Sequence, residues 1–295
     1  MAKSKPFDWS APHDDEEIVP RDVRFGIGDN PQLDWFGGDP VKTAMVNSFS
    51  IFLPEGERFF IRSLKHYAAR LDDPELAAEI NGYAVQEAFH TREHEDYNRG
   101  LADLGHDVEA MEQPVATLLA NVQVPLIRLA VTCAIEHLTA NFSTVTLRHH
   151  HLFDGAHSAY RRLWMWHALE ELEHKAVALD VYRQAAAGMP AWKRYGLRIG
   201  AMNTTAFHFL RVLLRNMRKM LREQGHDTGL RFWLRVFQLF FISPGYMRLS
   251  MGPFLRYYLP GFDPRNIDDT DLIRSGRAWL AAEFAADGPR AEPAE

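Results

Sequence analysis

Two copies of the pattern Glu-x-x-His constrain this chain more than any other feature of its sequence. Glu87 and His90 form the first copy, and Glu171 and His174 form the second. Residues three apart share one face of an α-helix, with Cβ atoms roughly 5–6 Å apart. A carboxylate and an imidazole from each copy can therefore reach one point. The repeat predicts two helices that face each other across a cluster of metal-ligand side chains.

Two further glutamates complete the pattern. Glu57 and Glu136 each lie among apolar neighbours, so that the order along the chain is Glu, Glu-x-x-His, Glu, Glu-x-x-His. The intervals 57–87 and 136–171 are each long enough for one helix, a turn and a second helix back to the same height. The interval 87–136 leaves room for a longer crossover. The spacing predicts four helices around one site.

Hydrophobic residues recur with a helical period over most of the chain, and few segments alternate as strands do. Four long helices are predicted, at about 54–71, 73–104, 115–150 and 156–187. Pro54 fits a first-turn position and Asp73-Pro74 fits an N-cap followed by N1. Pro125 predicts a kink or a second start. We expect an all-α fold, a four-helix bundle with additional C-terminal helices.

Composition divides the chain into four predicted regions. Residues 1–40 are rich in Asp, Pro and Gly and predict an extended arm, partly disordered. Residues 41–188 hold the metal-binding bundle. Residues 189–286 form a basic, aromatic appendage, since residues 192–260 contain twelve Lys or Arg against two acids. Residues 287–295 predict a disordered tail. The appendage either covers the acidic bundle, which is the simpler interpretation, or lies on an anionic membrane.

Charge balance explains why these residues would bind metal. Two divalent ions bring four positive charges, which four carboxylates neutralise, and two imidazoles complete the coordination. Without cations, four glutamates at one core point would repel and lose hydration. The predicted metal ligands are Glu57, Glu87, His90, Glu136, Glu171 and His174.

With this ligand set, the chain resembles the ferritin-like di-iron carboxylate superfamily over about 54–182. The segments PEGERFF and QEAFHTREH also resemble a bacterial family described as predicted metal-dependent hydrolases. The superfamily resemblance implies activation of dioxygen by iron, for which an electron donor would be needed. Manganese also suits carboxylate–imidazole ligands, and zinc is a further alternative. The narrower resemblance implies hydrolysis.

Three functions follow as hypotheses. The leading one is a di-iron oxidoreductase, an oxygenase or oxidase, acting on a small and hydrophobic organic substrate. The alternative is a two-metal hydrolase on the same ligands. The third is a metal-binding or membrane-surface protein without turnover.

Other polar residues extend the same helix faces. Tyr83, His94 and His167 are candidates for contacts that orient the ligands, and the two histidines are also candidate ligands of a further metal. Ordinary core packing is the competing interpretation for each of them, and for Cys133. Glu170 or Glu173 could replace Glu171 as the ligand, and Glu55 could replace Glu57.

A rival motif overlaps the first copy. HTREH, from His90 through Glu93 to His94, matches the inverted zinc-protease pattern. Those proteases are built on mixed α/β domains, whereas this chain has few strand signals. The zinc interpretation also leaves Glu57, Glu136 and His174 unexplained.

Bulk properties limit the partners and compartment. A net charge of −6 disfavours nucleic acid as a partner. A single cysteine is typical of a reducing compartment, and no run of apolar residues is long enough for a transmembrane helix. We expect a cytoplasmic protein with a small-molecule substrate. Peripheral membrane contact and a homodimer are further predictions.

Overall fold

The computed structural model describes residues 17–286. The regular secondary structure of these residues is helical, and an isolated β-bridge joins Phe36 and Ala156. The ten α-helices of these residues are α1 Pro40–Ala68, α2 Pro74–Asp103, α3 Val108–Ala120, α4 Pro125–Arg148, α5 Ser158–His174, α6 Val177–Ala185, α7 Ala191–Glu223, α8 Leu230–Phe237, α9 Tyr246–Arg256 and α10 Thr270–Ala286. A π-helical turn, Gln238–Ile242, follows α8 directly, and short 3₁₀ turns lie at His150–Phe153 and Pro264–Asn266. The all-α prediction is confirmed for the described residues.

The first helix begins earlier than predicted. Asp39 caps α1 by accepting hydrogen bonds from the backbone N–H groups of Val41 and Lys42, with Pro40 at the first position. Pro54 therefore lies inside α1 instead of starting it. Proline has no N–H, so the Ser50 carbonyl one turn earlier loses its helical donor. The side-chain amide of Asn98 on α2 donates to that carbonyl instead, at 3.1 Å.

The other helix boundaries agree with the sequence in part. Asp73 caps α2 as predicted, with its carboxylate accepting from the Leu76 N–H. Pro125 is a second start and not a kink, since it separates α3 from α4. The fourth predicted helix is broken into α5 and α6 directly after His174. The second Glu-x-x-His copy thus occupies the last turn of α5.

Four helices surround a common interior. Each packs against two neighbours, in the order α1, α2, α5, α4 and back to α1. α6 continues beyond α5 and contacts α2 and α4. Two apolar clusters of buried side chains fill this interior, one toward each end.

The C-terminal helices pack on the outside of this group. α7 lies along α1 and α4, α9 packs on α4, and α10 packs on α5. Residues 17–38 contain no helix and lie against α2, α5 and α10, and they bury several large side chains, including Arg21, Phe25 and Trp35. Residues 1–16 of the predicted arm and the predicted tail at 287–295 lie outside the described residues.

No helix among residues 17–286 combines the length and the apolar character needed to cross a membrane.

Candidate metal centre

Each of the four surrounding helices contributes acidic side chains to one buried cluster. Glu57 comes from the middle of α1 and Glu136 from α4. α2 contributes Glu87 and His90, and α5 contributes Glu171 and His174. All six side chains are at most 2% exposed. The structure thus brings together all six residues that the sequence selected as metal ligands.

Short distances link the two histidines to the carboxylates. His174 Nε2 lies 3.2 Å from Glu87 Oε1 and 3.6 Å from both Glu136 Oε2 and Glu171 Oε2. His90 Nδ1 lies 3.8 Å from Glu171 Oε1. Three overlapping groups have ligand atoms within 4.8 Å of one another, and a metal ion could be held by any of them: Glu87, Glu136 and His174; Glu87, His90 and Glu171; Glu57, His90 and His167.

The most informative feature of the cluster is its unsatisfied hydrogen bonding. Buried polar atoms in proteins almost always have hydrogen-bond partners. Here all six residues carry buried atoms that have none: both oxygens of Glu57, Glu87 and Glu171, Oε2 of Glu136, Nδ1 of His90 and Nε2 of His174. Each of these atoms is a carboxylate oxygen or an imidazole nitrogen, and both kinds of atom coordinate metal ions. Together these atoms form a donor set that fits cations.

The pKa values of the carboxyl groups reflect their burial and their closeness to one another. Burial raises the pKa of Glu57 and Glu87 well above the usual range, and neighbouring carboxylates raise both further. Burial also raises the pKa of Glu136 to about 8. Burial acts in the same direction on Glu171, but the His167 and His174 rings outweigh it and hold its pKa well below the usual range. Cation binding would therefore displace protons from the raised carboxyls.

The remote nitrogen of each ligand histidine is held by the opposite helix. His90 Nε2 donates to Glu170 Oε2 at 3.1 Å, and His174 Nδ1 donates to Gln86 Oε1 at 2.9 Å. Because carboxylate and amide oxygens only accept, these bonds fix the protonated nitrogen of each ring. His90 Nδ1 and His174 Nε2 face the carboxylates. Burial lowers the pKa of His174, but Glu171 and Glu136 outweigh it and raise that pKa, so a cation would displace the proton from Nε2. Contacts of this kind orient metal-ligating histidines in many proteins.

A buried network supports these two acceptors. Glu170 Oε1 accepts from the Arg21 backbone N–H and side chain and from Trp166 Nε1, each at 3.1 Å. Arg21 also binds both oxygens of Glu173, at 2.9 and 2.6 Å. Gln86 Nε2 donates to Glu173 as well, which directs the Gln86 oxygen toward His174.

The chain matches the protein family described as predicted metal-dependent hydrolases over residues 19–268. It belongs to this family. The match covers most of the chain and includes every residue of the cluster and of its supporting network. No curated protein and no solved structure matches the chain.

His167 is a third histidine that faces the cluster. A chain of hydrogen bonds through His94 and Ser50, here called the relay, sets its orientation. Asn98 Oδ1 accepts from Ser50 Oγ at 2.8 Å, so Ser50 Oγ accepts from His94 Nδ1 at 3.0 Å. His94 Nε2 then accepts from His167 Nδ1 at 3.2 Å. Burial lowers the pKa of His94 well below its usual range, which agrees with a neutral ring. The relay turns His167 Nε2 toward the cluster, 3.2 Å from Glu171 Oε1.

The remaining predicted residues divide between the site and the core. Tyr83 donates a hydrogen bond to Glu136 Oε1, and its ring meets His174 edge-on at 4.6 Å. Cys133 is buried in the adjacent apolar cluster, where its thiol donates to the Ala178 carbonyl at 3.2 Å. Tyr83 is thus at the cluster, whereas Cys133 is not.

The rival zinc motif is not assembled as a ligand group. Glu93 accepts hydrogen bonds from the Phe25 N–H and from Arg92, so it is bound to the segment before α1. His94 is directed at His167 and Ser50 instead of sharing a ligand group with Glu93.

An apolar cavity of about 200 Å³ adjoins the cluster. It lies between α1, α3, α4 and α7, and His167 forms part of its wall. The lining is mainly aromatic and aliphatic, including Phe52, Phe60, Leu118 and Trp164. His167 therefore contacts both the cavity and the carboxylates.

Sequence reasoning missed the residues that hold the histidines. Gln86 and Glu170 each immediately precede the glutamate of a Glu-x-x-His copy, so the repeat extends one residue further on both helices. That position could have been noticed. Arg21, Ser50 and Asn98 carry no local signal, because their roles depend on segments that are distant in the chain.

Proposed function

We propose that this chain is a hydrolase that holds two divalent metal ions among Glu57, Glu87, His90, Glu136, Glu171 and His174. The observation that carries the proposal is the set of buried lone-pair atoms without hydrogen-bond partners, which belong to these six residues and converge from four helices. Three overlapping groups of ligand atoms draw on these residues, which suits two cations held side by side.

The donor chemistry suits this proposal. Four carboxylates balance two divalent cations, and two neutral imidazoles with oriented lone pairs complete the set. The carboxylate-rich composition favours iron or manganese over zinc, which binds more often through thiolates and imidazoles. Bound divalent ions supply Lewis acidity and lower the pKa of water.

The protein's own residues take the other roles. Tyr83 holds Glu136 Oε1 and leaves Oε2 directed at the cluster. Glu170 and Gln86 keep the ligand histidines in one tautomer. We assign proton transfer to His167 Nε2, since His94 and Ser50 hold the other side of that ring. The apolar cavity binds the hydrophobic part of a small organic substrate with its reacting end at His167.

The architecture proposed for this function is a ferritin-like four-helix bundle. Its helices are α1, α2, α4 and α5, and α3 lies in the crossover. A Glu from each of two helices and a Glu-x-x-His from each of the other two is the arrangement of di-iron and di-manganese carboxylate bundles. Residues 41–188 would form this domain, and residues 189–286 the helical appendage packed on it.

Oxygen activation is the second candidate. The same arrangement of carboxylates and histidines occurs in di-iron proteins, and the adjoining cavity is almost entirely apolar. An oxidoreductase of this type needs an external electron donor, whereas a hydrolase needs none. The family match supports hydrolysis, which is why we place it first.

Metal analysis of protein purified without oxygen tests the shared premise. We expect about two ions per chain and their loss in the double variant Glu87→Gln, Glu171→Gln. Glu75→Gln, on the exposed first turn of α2, is the matched control and should keep both ions. Metal retained in the double variant would overturn the site.

Turnover then separates the two candidates. Protein loaded with Mn²⁺ and kept without oxygen should cleave aryl esters of medium-length fatty acids if the chain is a hydrolase. Oxygen uptake coupled to Fe²⁺ oxidation, with no ester cleavage under any metal, would replace hydrolysis by the oxidoreductase.

A further inference from the structure

The segment formed by α8 and the π-helical turn exposes an unusual set of large apolar side chains. Their exposure ranges from 42% to 74%. Steps of three or four residues put them on one side of the helix. We call this set the α8 stripe: Leu230, Trp233, Leu234, Phe237, Phe241 and Ile242.

The other side of the same segment already supplies the core contacts. Phe232, Val236, Leu239 and Phe240 are buried in the larger apolar cluster. The segment is therefore apolar on both sides, and the α8 stripe is not needed to attach it to the protein. An exposed apolar patch of this size typically marks a binding surface.

Between Asp227 and Asp263 the charged residues of the chain are all arginines. Residues 228–262 contain four arginines and no lysine, aspartate or glutamate. Arg231 and Arg256 are exposed, and Arg218 of α7 lies over the Trp233 ring at 5.6 Å. Arg235 pairs with Asp39 at the start of α1, which ties the segment to the helical group behind it.

We propose that the α8 stripe docks onto an anionic lipid surface, with its apolar side chains in the headgroup boundary and the arginines on lipid phosphates or carboxylates. An amphipathic helix with aromatic and arginine residues lies in the plane of a membrane in this way. A second copy of the chain fits less well, because a two-fold contact would bring identical arginines together.

A second apolar cavity lies behind this surface. It has a volume of about 210 Å³, and its wall includes Phe240 of the π-helical turn and Met247 and Met251 of α9. Phe49 and Phe142 line both this cavity and the one beside His167. Docking would place apolar cavities next to a source of apolar molecules. The lipid contact itself does not depend on the proposed reaction.

Vesicle flotation of the full chain tests the proposal. We expect the protein to float with vesicles of phosphatidylcholine and phosphatidylserine, less with phosphatidylcholine alone, and less at high salt. The variant Trp233→Ser, Leu234→Ser, Phe237→Ser should lose at least about tenfold in binding, since it removes three inserted side chains. Arg231→Gln with Arg256→Gln should lose roughly fivefold per arginine, on anionic vesicles only.

A matched control removes exposed apolar residues elsewhere. Leu33→Ser, Val124→Ser and Ile127→Ser together change three side chains with similar exposure, and this variant should float like the wild type. Circular dichroism should show every variant folded. Failure of the wild type to bind anionic vesicles, or equal loss in the control, overturns the proposal. The proposal is also overturned if the wild type is a dimer, the variant Trp233→Ser, Leu234→Ser, Phe237→Ser is a monomer, and neither protein floats with vesicles.

Discussion

At the residue scale, the geometry of the cluster is set by what lies behind its histidines. Glu170 and Gln86 select the tautomer of His90 and His174, and the Ser50–His94 pair selects that of His167. Each ring therefore turns its other nitrogen toward the carboxylates. These supporting residues, and not only the six candidate ligands, should control metal affinity.

Glu170→Gln tests this support directly. In the native chain His90 donates to one oxygen of Glu170, and Arg21 and Trp166 donate to the other. A glutamine has a single acceptor oxygen, so either His90 or the pair Arg21 and Trp166 loses its acceptor. We expect metal affinity to fall about 10–100-fold, as with other contacts that orient metal-binding histidines. Competition with a chelator measures it. An unchanged dissociation constant, equal to that of Glu75→Gln, would contradict the assigned role.

Ser50→Ala tests the relay. It leaves His94 Nδ1 without its acceptor and removes the donor to Asn98, both in a buried setting. We expect the free energy of unfolding to fall by about 1–3 kcal/mol, measured by urea denaturation. Ser63→Ala on the same helix is the control, because its buried hydroxyl has no partner. If both variants behave alike, the relay does not stabilise the protein.

At the element scale, α1 combines three features within two turns. Pro54 frees the Ser50 carbonyl for Asn98, Gly56 lines the apolar cavity, and Glu57 enters the cluster. Helices α3, α4 and α7 close the cavity over this part of α1. A change at Gly56 should therefore alter the cavity and leave the metal ligands in place.

Gly56→Leu is expected to obstruct the cavity. A Cβ at this position meets only the Phe60 ring, at 3.5 Å, so the backbone tolerates it and the larger side chain occupies the cavity. If the chain is a hydrolase as proposed, the KM of Gly56→Leu for esters with long acyl chains should rise several-fold while its metal content stays unchanged. Gly196→Leu, at an exposed helical glycine with open space around it, is the control. Equal kinetics in both variants would exclude this cavity as the substrate site.

At the scale of the whole molecule, the cluster sits where four helices meet, so metal binding and folding are linked. Without cations, burial and mutual repulsion raise the pKa of Glu57 and Glu87. These carboxyl groups therefore stay protonated at pH values where they would ionise in the unfolded chain. Cations that bind only the folded chain would shift the folding equilibrium toward the native state.

Thermal unfolding with and without metal measures this linkage. Metal at about a hundred times its dissociation constant should add about 2.7 kcal/mol for each independent site. We expect chelator-treated protein to melt several degrees lower and to recover on addition of Mn²⁺. The double variant Glu87→Gln, Glu171→Gln should show no response to metal. A response in that variant equal to the wild type would mean that the stabilising ion binds elsewhere.

Helix content and the choice of candidate ligands could be predicted from the sequence because both follow from local spacing. The 3.6-residue period predicts helices, and residues at i and i+3 must share a face whatever surrounds them. The start of α2 at Asp73-Pro74 is equally local. Pro54 shows the limit: its preference for a first turn was outweighed by the packing of α1 against α2 and α4, with Asn98 satisfying the carbonyl that it leaves free.

The sequence by itself determined an all-helical chain with four glutamates and two histidines at spacings that allow them to meet. Only the tertiary structure decided which buried atoms lack partners, which nitrogen of each histidine faces the cluster and which side of α8 faces solvent. The physical reason is that burial and hydrogen-bond partners come from distant segments. Arg21 and Glu170, or Ser50 and His94, become neighbours only when the helices pack.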